Sequence, residues 1–273
     1  MAAIEEAVVR LARRSEERRF GKFRGTVTDN QDPDKRGRLR LLVPSVLGNE
    51  ETDWALPCLP YGGGAGYGLF MVPANNAQVW VEFEEGDIHR PIWTGVFWQQ
   101  GSDVPTDASR SDPTNQLWQT PAGHILELDD KSGDEHIRLH HKGGAEAVID
   151  KDGSISLTDQ QGAVVKLDAN AGKVTITDAN GNKLEMSSSG TVVEDGNGNK
   201  IEMASAGVTV TGQQIVVKGS QVMLGGQGGE PIIKGTSFLS LFATHMHPSA
   251  MGPTGPPIPQ GEMSSLSSKV MTS

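Results

Sequence analysis

Thr244-His245-Met246-His247-Pro248 is the stretch whose residue types come closest to chemistry. Read as extended chain, it projects His245 and His247 to one face and Met246 to the other. Two imidazoles alone make a poor metal site. Set on a threefold axis they become six, enough for an octahedral shell around a first-row ion. Iron fits that donor set, nickel and its neighbours compete for it, and zinc prefers four ligands. The alternative is a pair of exposed loop histidines, and the presence or absence of an axis decides between the two.

Other candidates reduce to turn or core chemistry. Gly225-Gly-Gln-Gly-Gly-Glu230 resembles a calcium-binding nonapeptide, but it occurs once, carries Glu in place of Asp and runs into Pro231, so it reads as a tight turn. Asp129-Asp130 and Asp150/Asp152 stand beside Gly133 and Gly153, where Asp is ordinary turn chemistry. His136, His140 and His141 have no Ser or Cys nucleophile pattern nearby and read as solvated. The run Gly62–Gly68 lacks the lysine of a phosphate-binding loop. Cys58, the single cysteine, excludes a disulfide framework within the chain and reads as a small buried apolar residue. No enzyme chemistry emerges from these residues.

The elements that would position the histidines follow from composition. The 273 residues carry 24 Lys+Arg against 34 Asp+Glu, a formal charge of −10, which argues against affinity built on phosphate contacts. No run of about 18 apolar residues spans a bilayer, and glutamates stand where a signal peptide needs an apolar core. Twelve of the fourteen aromatic residues lie between Phe20 and Trp118, the other two being Phe238 and Phe242. From Pro121 to Ser237 there is no Phe, Trp or Tyr, so this stretch forgoes the side chains that usually build a core.

Ile4, Val8, Leu11 and Ala12 recur at helical spacing, which predicts an N-terminal helix within residues 1–20. Short strands with turn clusters between them fill 21–98: Phe23–Thr28, Arg38–Val43, Trp54–Cys58, Leu69–Val72, Gln78–Glu84 and Pro91–Trp98. Their number and size suit a five-stranded OB-type barrel. A polar, proline-containing linker covers 99–120.

Residues 121–240 show pairs of apolar residues two apart, from Leu126/Leu128 through Ile155/Leu157 to Val222/Leu224. Asn180-Gly-Asn-Lys-Leu-Glu-Met186 returns as Asn197-Gly-Asn-Lys-Ile-Glu-Met203, a repeat that points to stacked β structure. Alternation leaves one face apolar and one polar. A lone chain buries that face too thinly to offset about 1–2 kcal/mol of backbone entropy per residue. Three copies closing on one axis would bury it, and a slender prism has room for Val, Ile, Leu and Met but not for rings. The expectation is an all-β homotrimer: an N-terminal helix, a small barrel, then an intertwined three-chain β-helix. A single-chain parallel β-helix is the competing architecture. Residues 241–273 would form the tip, with the histidine loop, a rigid Gly252-Pro-Thr-Gly-Pro-Pro257 turn-back and a return segment.

The barrel resembles that of phage baseplate spike proteins (baseplate assembly protein V) and of the valine–glycine repeat spikes of type VI secretion. The stretches that carry the resemblance are Gly25-Thr-Val-Thr-Asp29, Gly37-Arg-Leu-Arg-Leu41 with Val43-Pro44, Trp54-Ala-Leu-Pro-Cys58, Val79-Trp-Val-Glu-Phe83 and Gly86-Asp-Ile-His-Arg-Pro-Ile-Trp93. Gly123-His-Ile-Leu-Glu-Leu-Asp-Asp130 with Glu135-His-Ile-Arg-Leu139 is similar to the family's barrel-to-helix transition, and Thr244-His-Met-His-Pro248 to its iron-holding tip. The resemblance implies a non-enzymatic, homotrimeric central spike of a contractile injection machine, with one iron per trimer on His245 and His247. It also implies a place in a tail baseplate or extracellular injection particle, assembled in the host cytoplasm. A spike of this kind pierces the target outer membrane when the sheath contracts. No lysozyme-like domain separates barrel from helix and no hub domain precedes residue 21, so a separate hub protein at the barrel end is expected. A cap protein at the tip is a further possible partner, and nucleic acid is not expected as one. Three other classes compete: a trimeric adhesin or tail fibre, a cell-wall hydrolase, and a nucleic-acid module using Trp80 and Phe83.

Overall fold

The computed structural model describes residues 5–6, 18–223, 233 and 235–258. It divides into two compact units, Met1–Thr209 and Val210–Ser273. Of the expected N-terminal helix, only Glu5 and Glu6 are described, both helical; the rest of 1–17 lies outside the described residues.

Five strands build the first sheet: β1 (Phe23–Asp29), β2 (Arg40–Leu42), β3 (Leu56–Pro57), β4 (Gln78–Phe83) and β5 (Pro91–Val96), in the order β2-β1-β4-β5-β3. An isolated bridge between Leu39 and Ala55 joins the two ends of that order, so the sheet closes on itself as an OB-type barrel. The alternation of β4 is the clearest driver, with Val79, Val81 and Phe83 inside and Gln78, Trp80 and Glu82 outside. Val27, Leu39, Leu41, Val43, Ala55 and Trp93 complete the core. Gly25 is required there, because a Cβ would lie 2.7 Å from a Val81 methyl.

Leu69–Val72 does not form the expected strand. It belongs to a long loop in which the Tyr61 and Tyr67 rings meet tilted at 5.8 Å, and the Leu69 N–H donates to the Tyr61 carbonyl. A short helix, α1 (Pro44–Leu47), follows β2. Cys58 is exposed rather than buried: its N–H still donates to the Trp93 carbonyl, and in the alternation from Ala55 to Leu59 it falls on the outward side.

A second sheet has eleven strands in sequence order: β6 (Asn115–Gln119), β7 (Ile125–Asp129), β8 (His136–His140), β9 (Glu146–Ile149), β10 (Ile155–Thr158), β11 (Val164–Asp168), β12 (Lys173–Thr177), β13 (Lys183–Ser187), β14 (Gly190–Glu194), β15 (Lys200–Ala204) and β16 (Gly207–Thr211). The sheet thus begins inside the segment read as a linker. It is a meander in one layer. The turn Asp178–Asn182 and its repeat Asp195–Asn199 share one geometry, in which the Asp Oδ1 accepts the backbone N–H groups two and four residues on. A left-handed glycine, Gly181 or Gly198, completes each turn. The 17-residue sequence repeat is therefore one complete up-and-down pair of strands.

Two differences from the sequence expectation concern this sheet. Every interior strand pairs with its two neighbours in the same chain, so both its edges are occupied and no ladder is left for another chain. Within this chain the second sheet is thus a meander, where the sequence reading expected strands intertwined among three chains. The regular strands also stop at Thr211, and residues 212–223 contain none, although the apolar pairs continue. No Asp-x-x-Gly turn follows Asp195 to fold them back.

In the second unit, α2 (Gly235–Thr244) precedes the histidines, which therefore lie in irregular chain rather than in a strand.

Candidate functional site

The face of the second sheet that carries the apolar pairs is continuous across the strands. Cross-strand register aligns Leu128, Ile137, Ile149, Ile155, Leu167, Val174 and Met186 in one row. A second row runs Leu126, Leu139, Ala147, Leu157, Val165, Ile176, Leu184, Val193 and Ile201. The opposite face holds charge pairs: Lys173 and Lys183 on Glu185 at 3.1 and 2.6 Å, Lys166 on Asp168 at 2.9 Å, Lys200 on Glu202 at 2.6 Å.

Burial is inverted relative to these chemistries. In β7, Glu127 is 1% exposed while its neighbours Leu126 and Leu128 are 41% and 44% exposed. In β10, Ile155 and Leu157 are exposed, and Ser156 and Thr158 between them are half-buried. A single chain thus shelters its polar face better than its apolar one.

The polar side of β6–β8 is covered by the preceding segment, which sequence reading left as a linker. Arg110 bridges Asp129 and Glu127, the latter at 3.0 Å, and Arg138 reaches Glu127 at 2.7 Å and Asp107 at 2.6 Å. Asn115 donates to the Glu127 carboxylate and to the Asp107 carbonyl. Glu127, Asp129 and His136 place ligand atoms within 4.8 Å of one another. Both carboxylates are already neutralised by guanidinium groups, so a cation would have to displace two arginines. The cluster is an ion-pair clamp, not a metal centre.

Burial pushes the Asp129 carboxyl up, but the Thr114 hydroxyl and the Arg110 guanidinium outweigh it and bring the value down to about 2. A depressed carboxyl stabilises the fold above its unfolded value near 3.8 and loses that contribution as pH falls through about 2. Asp129→Asn is therefore expected to lower the melting temperature at neutral pH. Its gap from the unmodified chain should close as the melts are repeated from pH 4 toward pH 2. A gap that does not change with pH would show that the carboxylate charge contributes nothing.

The expected solvated histidines are only partly so. The His140 Nδ1 lies 2.8 Å from the Glu146 carboxylate, His136 Nδ1–H donates to the Asp134 carbonyl at 2.8 Å, and exposed His141 stacks on His124 at 4.6 Å. In the barrel, Phe83 is core, whereas Trp80 faces outward against Phe97 with Arg24 over both rings. A buried carboxylate, Asp32, ties the turn before β2. It accepts from Arg38 Nη2 at 2.6 Å and from the N–H groups of Asp34, Arg36 and Arg38, which together hold its carboxyl far below the usual range.

His245 and His247 do come together, their rings 5.0 Å apart at 84°. His245 Nδ1–H donates to the Phe242 carbonyl at 2.5 Å, which fixes the tautomer and leaves Nε2 as a lone-pair donor. His247 is held by Thr254, whose hydroxyl accepts its N–H at 2.8 Å and whose own N–H donates to the His247 carbonyl at 2.9 Å. The Pro248–Pro253 stretch is thus a closed loop. This donor set suits a first-row ion, with two imidazoles supplied per chain.

Residues 23–98 match the family model described as the type VI secretion system/phage-baseplate injector OB domain. Two solved structures are similar to parts of the chain. One is the SAS-4 (dCPAP) TCP domain of Drosophila melanogaster, solved with a proline-rich motif of Ana2 (dSTIL). It is 10% identical over 70% of this chain and 90% of that one, with a TM-score of 0.26. The other is the G-box domain of the microcephaly protein CPAP, 12% identical over 37% of this chain and 99% of that one, with a TM-score of 0.11. At those scores neither likeness carries an argument.

Proposed function

We propose, on the premise that the chain belongs to the injector OB-domain family of type VI secretion systems and phage baseplates, that it is the homotrimeric central spike of such a machine. The family is one of structural components of injection particles, and the work assigned to this chain is mechanical. The observation that carries the reading is the inverted burial of the second sheet, with leucines and isoleucines open and Glu127 and Asp129 covered. Each side chain that passes from half-exposed to buried contributes about 1 kcal/mol, and the two rows supply such side chains on nearly every strand.

Three copies facing one axis would bury both rows and turn the charge pairs outward. Because all ladders are internal to one chain, closure would come from side-chain packing, and each copy would bring a finished sheet to the prism. Stiffness along the axis then arises from three continuous hydrogen-bonded meanders locked by one apolar core. Such a rod suits puncture of a target outer membrane on sheath contraction. Among the described residues no helix is long and apolar enough to cross a membrane. The barrel end would dock on a separate hub protein, and a cap protein at the tip would be a further partner. His245 and His247 would hold iron; the bound ion supplies a cross-link among three chain ends. Light scattering on the purified chain tests the reading. The expected mass is three times 29.1 kDa; a folded particle of one chain mass overturns it.

A further inference from the structure

We infer that α2 is a self-association element in its own right: three copies pack through Phe238, Leu241 and Phe242 and bring their His245 rings together. The inference rests on the threefold reading above and adds a second contact to it. Phe238, Leu241 and Phe242 stand at i, i+3 and i+4, one stripe of α2, and His245 follows at i+7, the first residue past its end. That stripe is open: Leu241 is 72% exposed, Phe238 48% and Phe242 41%.

A helix of ten residues is marginal in water without tertiary packing, and Gly235–Thr244 has neither acidic residues in its first turn nor basic ones in its last. What covers the stripe is indicated by charge. On a symmetry axis each side chain meets copies of itself, so any charged residue would face its own sign. The helix contains no charged residue at all, in a chain where 21% of residues are charged. Ser237 and Thr244 flank the stripe on one side and Leu239 on the other, and the Thr244 hydroxyl is turned back onto the Ser240 carbonyl. A different protein as partner would be selected through charged groups around the stripe, and this helix carries none. The consequence reaches the histidines through the rings. Phe238 stacks on Phe242 at 6.1 Å and the His245 ring lies tilted against Phe242 at 4.9 Å, so packing the stripe fixes the His245 ring.

The test uses the full chain with exposed Cys58 replaced by Ser, carrying Leu241→Cys on the stripe or Ala243→Cys on the opposite side. Under mild oxidation, Leu241→Cys is expected to form disulfide-linked pairs in up to about two-thirds of chains, the limit for three thiols around an axis. Ala243→Cys is expected to cross-link at least about tenfold more slowly, since its Cβ points away from the contact. A trimeric mass with equally slow cross-linking of the two variants overturns this inference and leaves the closed sheet standing. A monomeric mass overturns the threefold reading, and the helix contact with it.

Discussion

Leu157→Glu is expected to leave the chain unable to form the proposed trimer. Leu157 sits in the middle of the second apolar row, 48% exposed in the single chain, with Ala147 and Val165 as its cross-strand partners. In one chain the substitution is mild, because the new carboxylate points into water. In the closed prism the same carboxylate is enclosed by apolar side chains and meets two copies of itself. An uncompensated buried charge costs about 3–5 kcal/mol, so three of them cost on the order of 10 kcal/mol per trimer. At about 1.4 kcal/mol per decade, that is roughly seven orders of magnitude in the association constant. Light scattering should therefore find one chain mass for Leu157→Glu at concentrations where the unmodified chain is trimeric. Ser156→Glu is the control, since residue 156 points to the polar face opposite Lys166, and its mass should not change. If Leu157→Glu stays trimeric, the apolar rows do not face the axis.

The same two residues mark how far the sequence could be read. Alternation in Ile155-Ser-Leu-Thr158 assigns each side chain to a face, and that much holds in the structure. Alternation says nothing about which strand lies on either edge. An interchain ladder and an in-chain meander carry identical period-two patterns, and tight turns, such as the Asp-x-x-Gly turns at Asp178 and Asp195, are what select the meander by reversing the chain. The barrel core was legible for a similar reason: Val79, Val81 and Phe83 alternate and are all buried. Leu69–Val72 was not, because an apolar run has no period that separates strand from loop, and Phe70 ends up against the open side of Gly37.

The clamp at the start of the second sheet was beyond sequence reading altogether. Arg110 and Asp107 lie in a polar segment without periodicity, and Asp107 meets Arg138 across 31 positions. The single available signal was Glu127 and Asp129 alternating with leucines in β7, the mark of a face that is charged and nevertheless covered. At the other end, α2 was missed because Gly-Thr-Ser-Phe-Leu-Ser-Leu-Phe-Ala-Thr is short and poor in strong helix formers. The spacing of Phe238, Leu241, Phe242 and His245 was its one legible trace.

His247→Ala is expected to abolish stoichiometric metal while sparing the trimer. The proximity of the two rings, 5.0 Å, was implicit in their spacing, but the features that make them usable are structural. The Phe242 carbonyl orients His245, and Thr254 pins the backbone of His247 from both sides. Metal analysis of the purified chain should find close to one iron per three chains. Removing one imidazole from each copy halves the donor set, and the ion should fall to background in His247→Ala and in His245→Ala. Because the apolar rows are untouched, both variants should keep the trimeric mass, which separates tip chemistry from assembly. A ligand present at about a thousand times its dissociation constant stabilises what it binds by about 4 kcal/mol. Chelator should accordingly open the 245–258 loop of the unmodified chain to protease and leave the histidine variants unchanged. Acid should act like chelator, since protonated imidazole cannot bind the ion. An unmodified trimer that carries no bound ion after growth with iron would remove the cross-link and leave the rod to rely on its apolar core alone.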